Sequence, residues 1–174
     1  MKMTLAGLGA LALMAASGAA LAQAPPPATP PLPPPPARAP AMAVAVDLAQ
    51  TAIATCAANG YKVTAVVLDA AGAERVLIVG DGAASITPAI GTRKAITSLT
   101  FKAPSGDVGA RVKTDPALAA QFKADPRLIP WAGGEPLMAK GELIGALGVS
   151  GAPGGDKDDA CANAAIAKVK DRLS

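Results

Sequence analysis

The sequence predicts an α+β domain: a central antiparallel sheet of about five strands with helices packed on it. Three observations carry that expectation. Helix-period stripes open and close the region 41–174, Val-rich alternating runs lie between them, and tight turns rather than long crossovers join those runs. Parallel strands need a crossover of a dozen or more residues, so short joints make the pairing antiparallel.

The first helix is expected over Met42–Asn59. Val46, Ala49, Ile53 and Cys56 share a stripe there, and Asn59-Gly60 is a C-terminal stop. Lys62 to Asp69 alternates and is rich in Val, so it reads as a strand. Ala70-Ala71-Gly72-Ala73 turns it into Arg75 to Val79, which completes a hairpin. A second helix runs from about Thr87 to Lys102, with Pro88 tolerated in its first turn. Ile90, Lys94, Thr97 and Phe101 share one of its faces, and Ala103-Pro104-Ser105-Gly106 breaks it.

A short helix is expected over Asp115 to Lys123, after which Pro126, Pro130 and Pro136 punctuate three extended pieces. The last of these pairs Leu137-Met138-Ala139 with the run up to Ser150 across Lys140-Gly141-Glu142. The closing helix covers about Lys157 to Leu173. Ala162, Ile166, Val169 and Leu173 form its apolar stripe, and Asp158 and Asp159 sit in its first turn as solvated acids suited to the helix dipole.

The residues before this domain read differently. Lys2, the apolar run Leu5 to Ala16 and the Ala20-Leu21-Ala22 site predict a signal peptide over 1–22. The expected product is periplasmic or secreted, without a transmembrane anchor after cleavage. Residues 23–40 then form a Pro-rich linker, holding 10 of the 17 prolines, and favour an extended polyproline II spacer.

Composition excludes several chemistries. His is absent, so no Ser-His-Asp triad and no His-based zinc site can form. Removing residues 1–22 leaves 15 bases against 13 acids, a net charge of only +2. Those bases are scattered and aromatics are 2% of the chain, so nucleic-acid binding is not expected.

Two cysteines in an exported chain point to one disulfide, Cys56–Cys161, if the first and last helices pack antiparallel. The alternative is two reduced core thiols. Gly151 to Asp159 lacks the P-loop pattern, because Asp158-Asp159 follows Lys157 where a hydroxyl and a phosphate would be needed. Asp156, Asp158 and Asp159 with Glu135 lack EF-hand spacing as well. Arg93, Lys94, Lys102, Arg111 and Lys113 are candidates for clamping an anionic group, against the alternative of exposed bases.

The densest signal is Gly133-Gly134-Glu135-Pro136 followed by the Gly-rich strand ending Gly148-Val149-Ser150-Gly151. Glycine inside a strand gives up backbone entropy and packing, so something must approach closely: a ligand, a helix or another subunit. With Val67-Leu68-Asp69-Ala70-Ala71-Gly72 and Lys94-Ala95-Ile96-Thr97 before Phe101, these segments resemble the haem-binding GlcG/HbpS-like family. That family also contains the C-terminal domain of PduO-type corrinoid adenosyltransferases.

The resemblance implies a profilin-like fold, homo-oligomers, and binding of haem or another tetrapyrrole, in some members with haem degradation or sensing. The expected cofactor site takes in Arg93, Lys94, Lys102, Ser105, Gly133, Gly134, Gly148 and Ser150. Without His, the candidate iron ligands are Tyr61, Met42, Met138 and the weak hydroxyl of Ser105. A binding protein rather than an enzyme is expected, with at most slow haem breakdown. The competing reading is an oligomeric scaffold or small-carboxylate binder whose glycines serve subunit packing.

Overall fold

A computed structural model describes residues 36–173; the expected signal peptide over 1–22 and all but the end of the Pro-rich linker lie outside the described residues. Helix α1 (Met42–Ala58) leads into strands β1 (Thr64–Asp69) and β2 (Glu74–Val79), then helices α2 (Thr87–Phe101), α3 (Ser105–Val112) and α4 (Pro116–Ala124). Strands β3 (Gly134–Ala139) and β4 (Glu142–Ser150) follow, and helix α5 (Gly155–Val169) ends in a 3-10 turn over Lys170–Arg172.

The four strands form one antiparallel sheet in the order β2-β1-β4-β3. Both hairpins are therefore present, and the two most buried strands, β1 and β4, pair with each other at the centre. Every residue of β1 is buried, as expected of a central strand covered on both faces. Helices α1 and α5 cover one face, where Leu48, Ala52, Val67, Leu147, Val149 and Ala162 meet in the main core. Helix α2 covers the other face through Ala95 against Val66, Leu68 and Ala146. Cys56 and Cys161 join α1 to α5 in a disulfide, with their Cα atoms 5.5 Å apart.

Two expectations about the elements are corrected. The sheet has four strands among the described residues, because 126–133 forms no strand. Side chains of neighbouring helices satisfy its backbone instead. Arg93 Nη2 donates to the Leu128 carbonyl, Thr97 Oγ1 exchanges bonds with the Ile129 amide and carbonyl, and Ser105 Oγ donates to the Trp131 carbonyl. With Pro126 and Pro130 unable to donate, a ladder gains nothing there.

Helix α3 is the second correction. Pro104 caps it at φ −51° rather than simply ending α2, and Lys102 supplies the left-handed turn (φ 52°) between the two helices.

The Gly-rich strand is explained by α2. A Cβ on Gly148 would collide with the Gly91 carbonyl, and one on Gly134 with the Lys94 carbonyl. The body nestled against this hairpin is thus the chain's own helix, brought within backbone contact of the sheet. Gly148→Ala is expected to force α2 off β4 and lower stability by about 1–3 kcal/mol, the usual cost of overpacking. A denaturant midpoint equal to that of the parent protein would reject this account of the glycine.

Candidate functional site

The polar centre of the molecule lies where α2, the start of β3, the end of β4 and α5 converge. Lys94, on the sheet-facing side of α2, is 2% exposed. A buried ammonium is costly without partners. Its Nζ lies 2.6 Å from Asp158 Oδ2 and donates to the Val149 carbonyl at 3.1 Å. Asp158, 3% exposed, uses its other oxygen to accept from the Ala152 amide at 3.0 Å.

Burial pushes the Asp158 carboxyl above its ordinary range, while the Lys94 ammonium and neighbouring amides pull it back. The expectation of solvated acids at the start of this helix is therefore overturned. The reason is that the first turn of α5 points into the body of the protein, at a cation on α2.

A second pair, the buried Glu135 and the half-buried Asp159, lies beside the first. Glu135 on β3 is 5% exposed. It makes a side-chain contact with Asp159 of α5 and accepts from Asn163 Nδ2 at 3.4 Å. Asp159 in turn accepts from the Gly133 amide through a short hydrogen bond. Burial, then the Asp159 charge and hydrogen bond, raise the Glu135 carboxyl to about 7.

Gly133 has φ +116°, and a Cβ there would press on the Val149 carbonyl oxygen, Asp158 and the Lys94 ammonium together. Only glycine fits where the two polar pairs meet the backbone.

A cleft of about 350 Å³ opens over this centre. Ile86, Ile90 and Trp131 supply its apolar lining, Gly151 and Gly155 leave backbone at its rim, and the buried Lys94–Asp158 pair lies deepest. Trp131, the only Trp in the chain, is 53% exposed and Ile86 59%. Large apolar side chains held open beside a concave surface mark a binding face rather than core.

Of the eight site residues expected from sequence, Lys94 and Ser150 line this cleft. The other six are placed elsewhere. Arg93 reaches Leu128, and Lys102 is exposed at the end of α2. Ser105 Oγ bridges the Trp131 carbonyl and the Gly134 amide. Gly133, Gly134 and Gly148 are buried against α2 and its Lys94 side chain.

Asp158, Trp131, Ile86 and Ile90 were missed by sequence reasoning. A lysine within an apolar helix face was the available signal for a buried acid, and the lone Trp in a Gly/Pro-rich stretch was the signal for an exposed anchor.

A model of the family described as "Haem degrading protein HbpS-like" matches residues 41–167. The chain belongs to the HbpS-like family. Among solved structures, this HbpS-like domain is similar to a double mutant of HbpS from Streptomyces reticuli. The two share 30% identity over 82% of this chain and 99% of that one, with a TM-score of 0.71. It is also similar to a PduOC–haem complex, with 25% identity over 74% of this chain and 94% of that one, and a TM-score of 0.68. The Klebsiella pneumoniae protein ORFY shares the fold, at 21% identity and a TM-score of 0.70 over 80% of this chain and 96% of that one. No curated protein sequence matches the chain.

The cleft offers a macrocycle apolar walls but few ligands for its iron. The chain has no His, and among the described residues no Cys, Met or Tyr lines the cleft. Tyr61 lines a different depression with Lys62 and Val63, and Met42 and Met138 are exposed away from the cleft on α1 and β3. Thr87 does line it, but its hydroxyl is engaged by Thr64 at 2.7 Å and the Ala84 carbonyl at 2.8 Å. The cleft therefore fits the tetrapyrrole ring better than its metal, with Ser150 the remaining hydroxyl. Nor does Lys94 offer a free cation to a carboxylate, because Asp158 already neutralises it.

Proposed function

We propose that the chain is an exported haem- or tetrapyrrole-binding protein, and that the macrocycle lies in the cleft against Trp131 and Ile86. The observation that carries this reading is that open apolar cleft, in a domain whose family description names haem and whose neighbour at 25% identity is a haem complex. Export rests on the signal-peptide pattern of residues 1–22. Among the described residues, the titratable pair that lines the cleft, Lys94 and Asp158, is closed on itself as an ion pair, so the protein is read as a binder. Any haem breakdown would be slow and driven by the cofactor's own chemistry.

What this chain's residues do is hold and orient the ring. The indole offers a flat apolar face for stacking, and Ile86 and Ile90 exclude water from the ring edge. The Lys94–Asp158 pair presents a neutral, hydrogen-bonded floor.

Titration of the purified protein with hemin should give a saturable Soret shift at one haem per chain or per dimer. Metal-free protoporphyrin IX should bind with similar affinity, since the ring carries the contact. Trp131→Ala should weaken both about tenfold, the loss of one aromatic stacking contact. A featureless, non-saturating rise in absorbance would reject the proposal.

A further inference from the structure

The same cleft is built with a proton-sensitive wall. This inference concerns regulation of the site described above and rests on that reading for its functional meaning, though not for its mechanics. The wall is Trp131, and the segment Trp131-Ala132-Gly133 that carries it leads into β3 behind the cleft. It is held at three points. Ser105 Oγ donates to the Trp131 carbonyl at 2.7 Å, the Gly133 carbonyl accepts from the Val149 amide at 2.7 Å, and the Gly133 amide donates to Asp159. Gly106 of α3 and Gly155 of α5 leave the room in which Ala132 sits.

Asp159 is therefore the only side chain of α5 that ties this wall to the helix by a hydrogen bond among the described residues, and its other neighbour is a second carboxyl. Two carboxylates in contact cannot both be ionised without strong repulsion. Among the described residues, no cation forms an ion pair with Glu135. The groups that face the pair are Asp107 from α3, Asn163 from α5 itself, and Lys94 from α2, whose ammonium is committed to Asp158. A single proton on Glu135 resolves the conflict, because the protonated carboxyl donates to the Asp159 carboxylate while Asp159 accepts from Gly133.

We propose that Glu135 and Asp159 form a proton-sharing latch: the shared proton closes the start of β3 onto α5 and fixes the Trp131 wall, and its loss loosens that wall and opens the cleft.

The sign follows from linkage. The folded protein holds the Glu135 proton up to about pH 7, whereas the unfolded chain releases it near 4.5. The latch therefore contributes fully below about pH 4.5, and its contribution declines as pH rises towards 7 and is lost above it. Ligand retention should follow the same direction, tighter in mildly acidic than in mildly alkaline solution.

Trp131, as the sole indole, reports the wall directly and without any ligand. Intrinsic fluorescence of the full chain, titrated from about pH 5.5 to about 8.5, should show one sigmoidal change centred near 7. Glu135→Gln keeps an acceptor for Asn163 and a donor for Asp159, so it mimics the closed state and should abolish the transition while retaining the low-pH spectrum. Asp107→Asn removes a like charge and should move the midpoint down, a result that stands even if Glu135→Gln folds poorly.

A flat titration of the parent protein, or an unchanged one in Glu135→Gln, would overturn the latch. Because this readout needs no hemin, such a failure leaves the haem reading standing. A fluorescence transition without saturable hemin binding would instead keep the latch and remove its proposed cargo. Where both hold, hemin affinity should fall several-fold across the same interval, and a pH-independent affinity would separate the wall from the site.

Discussion

Replacing Lys94 with Met is expected to destabilise the protein by about 3–5 kcal/mol, the range for leaving one member of a buried ion pair without its partner. A domain of this size has roughly 5–15 kcal/mol of stability in all, so the loss is a large share of it. The cause is Asp158. Enclosed at 3% exposure, it keeps the Ala152 amide but loses the ammonium 2.6 Å away. Methionine fills most of the aliphatic volume of the lysine, so cavity formation adds little.

Two further measurements separate charge from packing. The double substitution Lys94→Met with Asp158→Asn should recover part of the loss, giving a coupling energy well above that of an exposed pair. In Lys94→Met alone, the folded-state pKa of Asp158 rises further. Stability should then be greatest in acid and decline as pH climbs above the ordinary Asp value of about 3.9. Urea unfolding of the parent and single variant at neutral pH decides the main claim, and a difference below about 1 kcal/mol would show the pair to be dispensable.

Breaking the Cys56–Cys161 bridge should have a comparable effect. The cysteines are 105 positions apart in sequence, and closing a loop of that length removes about 4–5 kcal/mol of chain entropy from the unfolded state. Both sulfurs are buried between α1 and α5, among Ala45, Ala49, Ala52 and Ala165 on the two helix faces. Cys56→Ala with Cys161→Ala suits that small-residue seam and leaves the native contacts largely as they are. Its unfolding midpoint should fall to that of the reduced parent protein. Peptide mapping without reductant should recover a linked Cys56–Cys161 pair, and complete alkylation under those conditions would contradict it.

The contrast between these two features shows where sequence reasoning reaches and where it stops. The disulfide was legible because the first and last helices each carry one of the chain's two cysteines. The hairpins β1–β2 and β3–β4 were legible because Gly72 and Gly141 sit at positive φ between alternating apolar runs. At the second turn Lys140 also adopts φ 51°, giving the consecutive left-handed pair that suits a tight hairpin.

Residues 126–133 were misread as extended strands. Their proline spacing resembles edge strands, and nothing local shows that Arg93, Thr97 and Ser105 satisfy the backbone instead. Helix α3 was missed for a related reason: Pro104 with Gly106 two residues on reads as a break, yet here the proline starts a helix.

The site was only partly legible. Lys94 and Ser150 were named, but their surroundings were not. Asp158 and Asp159 looked like helix-start acids in water, because the dipole argument accounts for them completely at the local level. Only the packing of α5 against β3 and β4 turns one towards Lys94 and the other towards Gly133.

From its own residues the chain determined the α+β class, the antiparallel pairing, the outer helices with their disulfide, and the HbpS-like family motifs. These follow from periodicity, turn chemistry and residue type, which act over a few positions. Tertiary structure alone decided that Lys94 is neutralised by an acid 64 residues away, that Glu135 meets Asp159, and that the glycines admit α2. A charge's environment is set by whichever distant segment covers it, and burial in a low-dielectric interior then changes its partner, its protonation and its role.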